Sequence, residues 1–246
     1  MGDFQNATLD EVAFAVIGVE GAALGVNAEA GAEVACVKVR NGREIQAFSS
    51  FVDVGRATAA GAAAGHELTG GAASPHPSLE AISPILDTLC GDAVVVSDNS
   101  ASDLKLLPIL SRRPSLCTLR LARRCFPELD GYANQLLRYA FGTAPSGTKQ
   151  PRRALEDARV TAAVLGVLLR RYVELGHPAT IDALLEFAAT PIPLKSLPFG
   201  EYRGRPLTQV PASYLQWIRR RNARFDAQIQ EGVRAELERR GLATAG

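Results

Sequence analysis

The chain has 246 residues, of which 47% are hydrophobic and 22% charged, a composition typical of a soluble globular protein. No apolar run approaches the roughly 18 residues of a membrane-spanning helix, and the amino terminus lacks the basic and apolar regions of a signal peptide. The formal net charge is only +1, which excludes a uniformly basic or acidic protein.

The charges are unevenly distributed along the chain. Residues 1–111 hold 5 Lys/Arg against 14 Asp/Glu, whereas residues 112–171 hold 12 against 4. An acidic half beside a basic half is typical of a site that holds metal on one wall and a polyanion on the other, although charges on solvated helix faces give the same counts. The four cysteines lack the short paired spacing of zinc sites, which indicates reduced thiols and a cytoplasmic protein.

The first predicted element is a buried strand that starts near Ala13 and carries Glu20 at its end. A carboxylate at the tip of a central strand costs several kcal/mol to desolvate, unless it is paired, binds a cation or reaches solvent. Residues 33–39 and 44–53 are predicted to form two more strands. Asn41-Gly42 between them indicates a hairpin, so the chain opens with three antiparallel strands.

The next predicted elements alternate between helices and short strands. A helix capped by Ser78 precedes a short buried strand over 92–96, and a second helix follows through Leu110. Asp103 lies in the first turn of that helix, where the helix dipole alone is a sufficient reason for an acidic residue. Residues 116–121 are a strand or a helix start, and helices are predicted over 132–141 and 152–173, the latter carrying Asp157 one turn in.

Three carboxylates thus lie at strand ends or helix starts: Glu20, Asp103 and Asp157. Hard oxygen ligands of this kind suit Mg²⁺ or Mn²⁺. Two such ions about 4 Å apart can activate a water and stabilise the leaving oxygen in phosphodiester hydrolysis.

Three motifs around these carboxylates resemble those of the 3′–5′ exonucleases with a ribonuclease-H-like fold and an Asp-Glu-Asp-Asp carboxylate set plus a histidine base. Where that family has Asp-x-Glu-Thr-Thr-Gly-Leu, this chain has Gly18-Val19-Glu20-Gly21-Ala22-Ala23-Leu24. For His-Asn-x-x-Phe-Asp it has Asp98-Asn99-Ser100-Ala101-Ser102-Asp103. For His-Arg-Ala-Leu-x-Asp-Ala it has Arg152-Arg153-Ala154-Leu155-Glu156-Asp157-Ala158.

The resemblance covers residues 10–175 and implies an α/β fold with a mixed five-stranded sheet flanked by helices. It places the catalytic positions at Gly18, Glu20, Asp103, Arg152 and Asp157, and the metal ligands at Glu20, Asp103 and Asp157. It further indicates nucleic acid, in particular single-stranded DNA or 3′ ends, as the partner. The residues expected to contact it are His66, in a Gly- and Ala-rich segment, together with Asn99, Arg152, Arg153, Arg203 and Arg205.

Two departures from the family bear on the mechanism. Gly18 replaces the aspartate that bridges both metals, and Arg152 replaces the histidine that deprotonates the attacking water. Arginine stays protonated at any working pH and cannot act as a general base, whose loss costs about 10²–10⁴ in rate. The expectation is therefore a catalytically impaired protein that retains nucleic-acid binding and holds one weak Mg²⁺ or Mn²⁺ ion at most. A slow exonuclease that uses His66 as its base and a protein-interaction scaffold are the alternatives.

The predicted domain organisation is an exonuclease-like domain over 1–175, a Pro-rich linker over 176–194 and a small basic module over 195–246. The segment from Leu197 to Leu207 resembles a module attached to some exodeoxyribonuclease X-like proteins. Its arginines are interleaved with aromatic residues, a pattern typical of strand binding by charge and base stacking. For Phe199 and Trp217, a place in the module's own small core is the favoured interpretation.

Overall fold

The structure is a computed structural model that describes residues 4, 6–21, 31–52, 76–100, 103–104, 107–129, 131–143, 153–190, 192, 194–221, 225 and 227–242. The chain forms two compact units, residues 1–188 and residues 189–246. The predicted domain and linker bounds remain predictions. The helix Ile181–Ala189, which begins inside the predicted linker, buries Ile181 and Leu184 in the core of the first unit.

The first unit contains a mixed five-stranded sheet, which confirms the predicted fold class. Its strands are β1 (Ala13–Gly21), β2 (Gly31–Arg40), β3 (Arg43–Phe51), β4 (Val94–Ser97) and β5 (Ser115–Cys117). Their spatial order is β3-β2-β1-β4-β5; β1, β2 and β3 pair antiparallel, whereas β4 is parallel to both β1 and β5. Strand β1 is therefore the central strand, as its apolar sequence predicts.

Helices account for the rest of the regular structure. Seven α-helices have both ends within the described residues: α1 (Leu79–Cys90), α2 (Thr118–Cys125), α3 (Asn134–Ala140), α4 (Ala154–Glu174), α5 (Ile181–Ala189), α6 (Ala212–Arg220) and α7 (Ala227–Arg239). None of these helices is both long and apolar enough to cross a membrane.

The two faces of the sheet carry separate hydrophobic cores, because successive strand residues point to opposite sides. Val16 and Val96 belong to the core that contains α4, whereas Ile17 and Val95 belong to the core that contains α1. Since Gly18 and Glu20 follow Val16 at intervals of two, they lie on the α4 side of the sheet. This alternation determines which helix the candidate site faces.

The predicted hairpin is present, but one predicted helix is shorter than expected. Asn41 and Gly42 both have positive φ, as the turn between β2 and β3 requires. The helix predicted through Leu110 has already ended at Leu107, whose backbone is not helical (φ −122°, ψ 67°) before the short 3₁₀ helix Pro108–Leu110. The cause is Pro108, which disfavours the helical conformation for the residue that precedes it.

The second unit has its own small core. Leu215 and Ile218 of α6 pack with Val233 and Leu237 of α7, and Leu207 of a short 3₁₀ helix closes the cluster. At the far end of α7, the buried Glu236 accepts hydrogen bonds from Arg239 and Arg240. The guanidinium of Arg240 also donates to the carbonyl oxygens of Val210 and Leu207, which connects the helix to the preceding loop.

Candidate active site

The carboxyl ends of β1 and β4 bring the first two motifs to one edge of the sheet. These strands are parallel, and Ile17 lies opposite Ser97. Asp98 therefore follows β4 at the level of Gly18, while Glu20 continues β1 for two more residues. Asn99 accepts a helical hydrogen bond from the backbone N–H of Asp103, so Asp103 occupies the first turn of a helix, as predicted.

Asp98 is surrounded by other carboxylates and partly removed from water. Burial, together with the charges of the nearby Asp103 and Asp157, raises the pKa of Asp98 to about 6, although the hydroxyl of Thr118 acts in the opposite direction. That hydroxyl donates to Oδ1 of Asp98 at 3.5 Å. The structure thus brings Asp103 and Asp157, two of the three predicted ligands, close to a third carboxylate.

Asp157 is held in place by the neighbouring helix α3. Nε2 of Gln135 donates to Oδ1 of Asp157 at 3.0 Å, and Nδ2 of Asn134 donates to its carbonyl oxygen at 3.3 Å. Glu156, the next residue along the chain, points elsewhere: it accepts from Arg159, which also forms a two-bonded ion pair with Glu44 of β3. Glu156 is therefore committed to a structural ion pair.

Gly18 allows α4 to approach β1 very closely. A Cβ atom at position 18 would lie 2.2 Å from the carbonyl oxygen of Ala154 and 3.2 Å from Cβ of Ala158. Contacts under 3.0 Å between a Cβ atom and backbone do not occur without displacement of one of them. The space that an aspartate would need at this position is therefore occupied by the first turn of α4.

Glu33 of β2 fastens the same end of α4 to the sheet. Its side chain is only 4% exposed and accepts from Nε and Nη2 of Arg153 at 2.9 and 3.1 Å. Oε2 also accepts from the backbone N–H of Ala154, the first residue of α4, at 3.1 Å. Because the first N–H groups of a helix lack intrahelical partners, Glu33 acts as a cap supplied from another element.

The guanidinium of Arg153 thus pairs with a carboxylate and also lies over an aromatic ring. Its guanidinium lies 5.0 Å from the ring centre of Phe51, the β3 residue opposite Glu33. Glu20 lies opposite Glu33 on the other side, in β1, and is half-buried. A guanidinium therefore compensates one of two like charges that face each other across β1 and β2, an arrangement that is otherwise destabilising.

The remaining predicted site residues belong to the second unit or lie outside the described residues. Arg203 and Arg205 belong to the second unit and are exposed. Arg152 and His66 lie outside the described residues, so their predicted roles as the general-base position and as a nucleic-acid contact remain predictions.

The carboxylates are hard oxygen donors, but their arrangement does not fit a two-cation centre. Within the described ranges, no group of three or more His, Cys, Asp or Glu side chains could hold a metal ion. Position 18, where the resemblance places a bridging carboxylate, supplies no side-chain oxygen. A pair of cations bridged by a carboxylate at position 18 is therefore not expected in this chain.

Two acidic residues of this edge were not among the predicted site residues. Asp98 has the same signal as Glu20, a carboxylate directly after a buried strand, but only its place in the second motif was noted. Glu33 has no comparable signal, because its partner Arg153 is 120 residues away in the sequence. Alternation within β2 shows which face Glu33 occupies but not that a helix end meets it there.

Asp98 is expected to make stability pH-dependent. Since its folded pKa lies above the ordinary value of 3.8, the folded state holds the proton more tightly than the unfolded state. The free energy of unfolding of Asp98→Asn should therefore equal that of the wild type below about pH 4. Above about pH 6 it should be larger by about 1–3 kcal/mol. Urea denaturation in EDTA at pH 4, 5, 6 and 8 measures this difference.

The matched control for this experiment is Asp92→Asn, which changes an exposed aspartate just before β4. It removes the same charge from a position outside the crowded environment of Asp98, and its effect is subtracted at each pH. A difference for Asp98→Asn that stays constant from pH 4 to 8 would contradict the crowded, desolvated environment described for Asp98.

The mixed sheet, with an antiparallel β1–β2–β3 meander and parallel β4 and β5, defines an α/β domain with a ribonuclease-H-like fold. Residues 16–165 match a family model described as "Exonuclease". Because this match spans more than half of the chain, the protein belongs to the 3′–5′ exonuclease family.

Individual relatives agree with this family. Exodeoxyribonuclease 10 of Escherichia coli K12 is 27% identical over 196 residues, which cover 76% of this chain and 82% of that protein. DNA polymerase III subunit epsilon of Aquifex aeolicus is 30% identical over 159 residues, 61% of this chain and 77% of the relative. A solved structure of "Exonuclease X in complex with 5' overhanging duplex DNA" has a TM-score of 0.59 at 24% identity, covering 72% of this chain and 99% of that chain, and shows the common fold.

The second unit resembles a different family. Residues 188–225 match a model described as "Putative quorum-sensing-regulated virulence factor". This match covers a small part of the chain and assigns no chemistry to it.

Proposed function

We propose that this exonuclease-family chain binds the ends of nucleic-acid strands, in particular single-stranded DNA, and hydrolyses them weakly or not at all. The single observation that carries the proposal is the contact at Gly18. The position of a bridging carboxylate is occupied by the backbone of α4, with the carbonyl oxygen of Ala154 2.2 Å from where a Cβ would lie. This is a packing arrangement as well as the loss of one side chain.

The ion pair between Glu33 and Arg153 supports the same proposal. A guanidinium provides positive charge at the sheet edge where the family generally depends on divalent metal ions. Together with the cap on Ala154, it holds the end of α4 against β1. Any Mg²⁺ or Mn²⁺ at this edge is therefore proposed to be a single, weakly held ion on the remaining carboxylates.

The residue before Arg153 supports the loss of proton transfer. Arg152 stands at the position of the family's histidine, and a guanidinium cannot accept the proton of an attacking water. It can instead donate paired hydrogen bonds to phosphate oxygens, which favours binding over hydrolysis.

Nucleic-acid binding is proposed from the family and from charge. The solved relatives include exonuclease X with a duplex DNA and exonuclease I of E. coli with a dT13 oligonucleotide. In this chain, residues 112–171 hold 12 Lys/Arg against 4 Asp/Glu, a basic stretch that includes α2, α3 and most of α4. Neutralisation of phosphates by such residues gives binding that weakens steeply with salt.

The test combines binding and hydrolysis on the full chain. A 5′-labelled single-stranded oligonucleotide is titrated at several salt concentrations, and the same mixtures are incubated with Mn²⁺ and resolved on a gel. We expect salt-sensitive binding and no ladder of shortened products beyond that of the Glu20→Ala variant. Glu80→Ala, which removes an exposed carboxylate from the first turn of α1, is the charge-matched control.

Two outcomes would overturn the proposal. A product ladder that disappears in Glu20→Ala and persists in Glu80→Ala would show an active exonuclease with a rearranged site. An absence of binding even at low salt would favour a protein-interaction scaffold instead.

A further inference from the structure

Five aromatic side chains of the second unit form a continuous row. The neighbouring ring centres lie 4.7 Å apart for Phe199 and Phe225, 5.9 Å for Phe225 and Trp217, 5.3 Å for Trp217 and Tyr214, and 4.9 Å for Tyr214 and Tyr202. The pairs Phe199–Phe225 and Tyr214–Trp217 are stacked. We call these five residues the aromatic row.

Local sequence features build this row. Tyr214 and Trp217 are three residues apart in α6 and therefore lie on one face of the helix, whereas Leu215 and Ile218 are buried in the core. Gly200 has a φ of +71°, and a Cβ there would lie 2.2 Å from the hydroxyl oxygen of Tyr214. Glycine at this turn thus allows Tyr214 to pack directly against the backbone next to Phe199.

The row is only partly explained by the core of the unit. Phe199, Tyr202, Tyr214 and Phe225 pack against that core while remaining partly exposed. The expected core role is therefore right in part for Phe199. It is wrong for Trp217, which is 41% exposed and lies outside the cluster. A large, partly exposed aromatic ring that adjoins four others in a row offers an accessible π surface.

Arginine side chains lie over the middle and over one end of the row. The guanidinium of Arg221 is 4.5 Å from the ring centre of Trp217, and that of Arg205 is 5.6 Å from the ring centre of Tyr202. The segment 195–221, which supplies four of the five rings, has six Lys/Arg and one acidic residue, Glu201. In α7, by contrast, Arg234, Arg239 and Arg240 are paired with glutamates of the same helix.

We propose that the aromatic row, with Arg205 and Arg221, is a binding surface for single-stranded nucleic acid in the second unit. Unstacked bases present flat π faces that stack on aromatic side chains, and the flanking guanidinia match the charge of the phosphates. An acidic peptide would satisfy the charge but not the row of rings. This surface belongs to the second unit, and the inference does not depend on the function proposed for the candidate active site of the first.

Trp217 is the only tryptophan in the chain, so its fluorescence reports on this surface alone. Titration of the full-length protein with oligothymidylate at low salt should quench that emission. Poly-glutamate, which carries negative charge without bases, should leave it unchanged. In a parallel measurement with a labelled oligonucleotide, Trp217→Ala should weaken binding about fivefold or more, whereas Trp217→Phe should retain most of the affinity.

Matched controls separate the row from general charge and general apolar exposure. Ile45→Ala removes a 53%-exposed apolar side chain from β3, outside the basic stretch of the first unit, and should not change the affinity. Arg221→Ala should weaken binding and lower by about 1 the slope of log affinity against log salt concentration. Arg234 is in the same unit and its side chain is 60% exposed, and Arg234→Ala should change neither quantity.

The inference is overturned if oligothymidylate does not quench Trp217, or if Trp217→Ala and Ile45→Ala bind equally well. Equal quenching by poly-glutamate would identify the surface as a docking site for acidic protein and would also overturn it. A full chain that binds oligonucleotide but is indifferent to Trp217→Ala would preserve the function proposed for the first unit while refuting this second surface.

Discussion

Gly18→Ala is expected to destabilise the first unit by about 1–3 kcal/mol, the usual cost of forcing extra atoms into a packed interior. Replacement of glycine by alanine inside a strand normally stabilises a protein, so a loss of stability here would point to a steric conflict. Here the new Cβ would meet the carbonyl oxygen of Ala154, and α4 would have to move away from β1. Urea denaturation followed by far-UV circular dichroism measures the loss.

Gly166→Ala is the matched control for this substitution. It places the same methyl group within α4, where the nearest atom is the end of the Arg170 side chain at 3.8 Å. We expect it to be stabilising by up to about 1 kcal/mol, the usual gain for alanine over glycine in a helix. A Gly18→Ala variant as stable as the wild type would show that α4 yields easily and that the site is not closed by packing.

The same contact predicts what Gly18→Asp will do. Returning the family's residue to this position should destabilise the protein further, because a charge is added beside Asp98 in a space already filled by α4. It should therefore fail to create hydrolysis in Mn²⁺, even when combined with Arg152→His. Efficient cleavage by that double variant would mean that the two side chains alone, and not the packing of α4, separate this chain from its active relatives.

Arg153→Met is expected to cost about 2–4 kcal/mol, because it leaves the buried carboxylate of Glu33 without its charged partner. This cost is somewhat smaller than for a fully buried pair, because the side chain of Arg153 is 42% exposed. The thioether side chain retains much of the packing volume, so the effect reports mainly on charge. Chemical denaturation at neutral pH measures it.

A double-variant cycle isolates the ion pair. Glu33→Gln keeps an acceptor for the N–H of Ala154 and should therefore destabilise the protein less than Arg153→Met does. The combination of the two should be more stable than Arg153→Met alone, because no unpaired charge is then buried. Strict additivity of the two single effects would show that the pair does not fix the end of α4.

Much of the fold follows from local sequence patterns. Asn41-Gly42 between two alternating runs predicts the hairpin. The continuous apolar run from Ala13 predicts a central strand, because a strand that is buried on both faces is apolar at every position. The helix predicted after Asp98 was too long because the pattern of leucines continues through Pro108, although the backbone before a proline resists helix formation.

The candidate site could be predicted only in part, because its geometry depends on contacts between distant elements. The positions of Glu20, Asp103 and Asp157 follow from motif spacing. The closeness of Ala154 to Gly18 and the pairing of Glu33 with Arg153 depend on how α4 packs on β1 and β2, which no local pattern encodes. The absence of a side chain at Gly18 was visible in the sequence, whereas the occupation of its space by α4 was not.

These contacts point to one arrangement at the sheet edge. Gly18 permits the approach of α4, Glu33 and Arg153 fasten it there, and Gln135 restrains the carboxylate of Asp157. The family's two-cation chemistry needs a carboxylate where the helix backbone now lies. We therefore expect that this edge of the sheet cannot assemble a pair of divalent cations.

The most direct test of this claim is anomalous diffraction from crystals of the protein soaked in Mn²⁺ together with a nucleoside monophosphate. We expect at most one weak manganese peak near Glu20, Asp103 and Asp157, with α4 still packed against Gly18. Two strong peaks about 4 Å apart beside Glu20, with the monophosphate bound across them, would contradict the account.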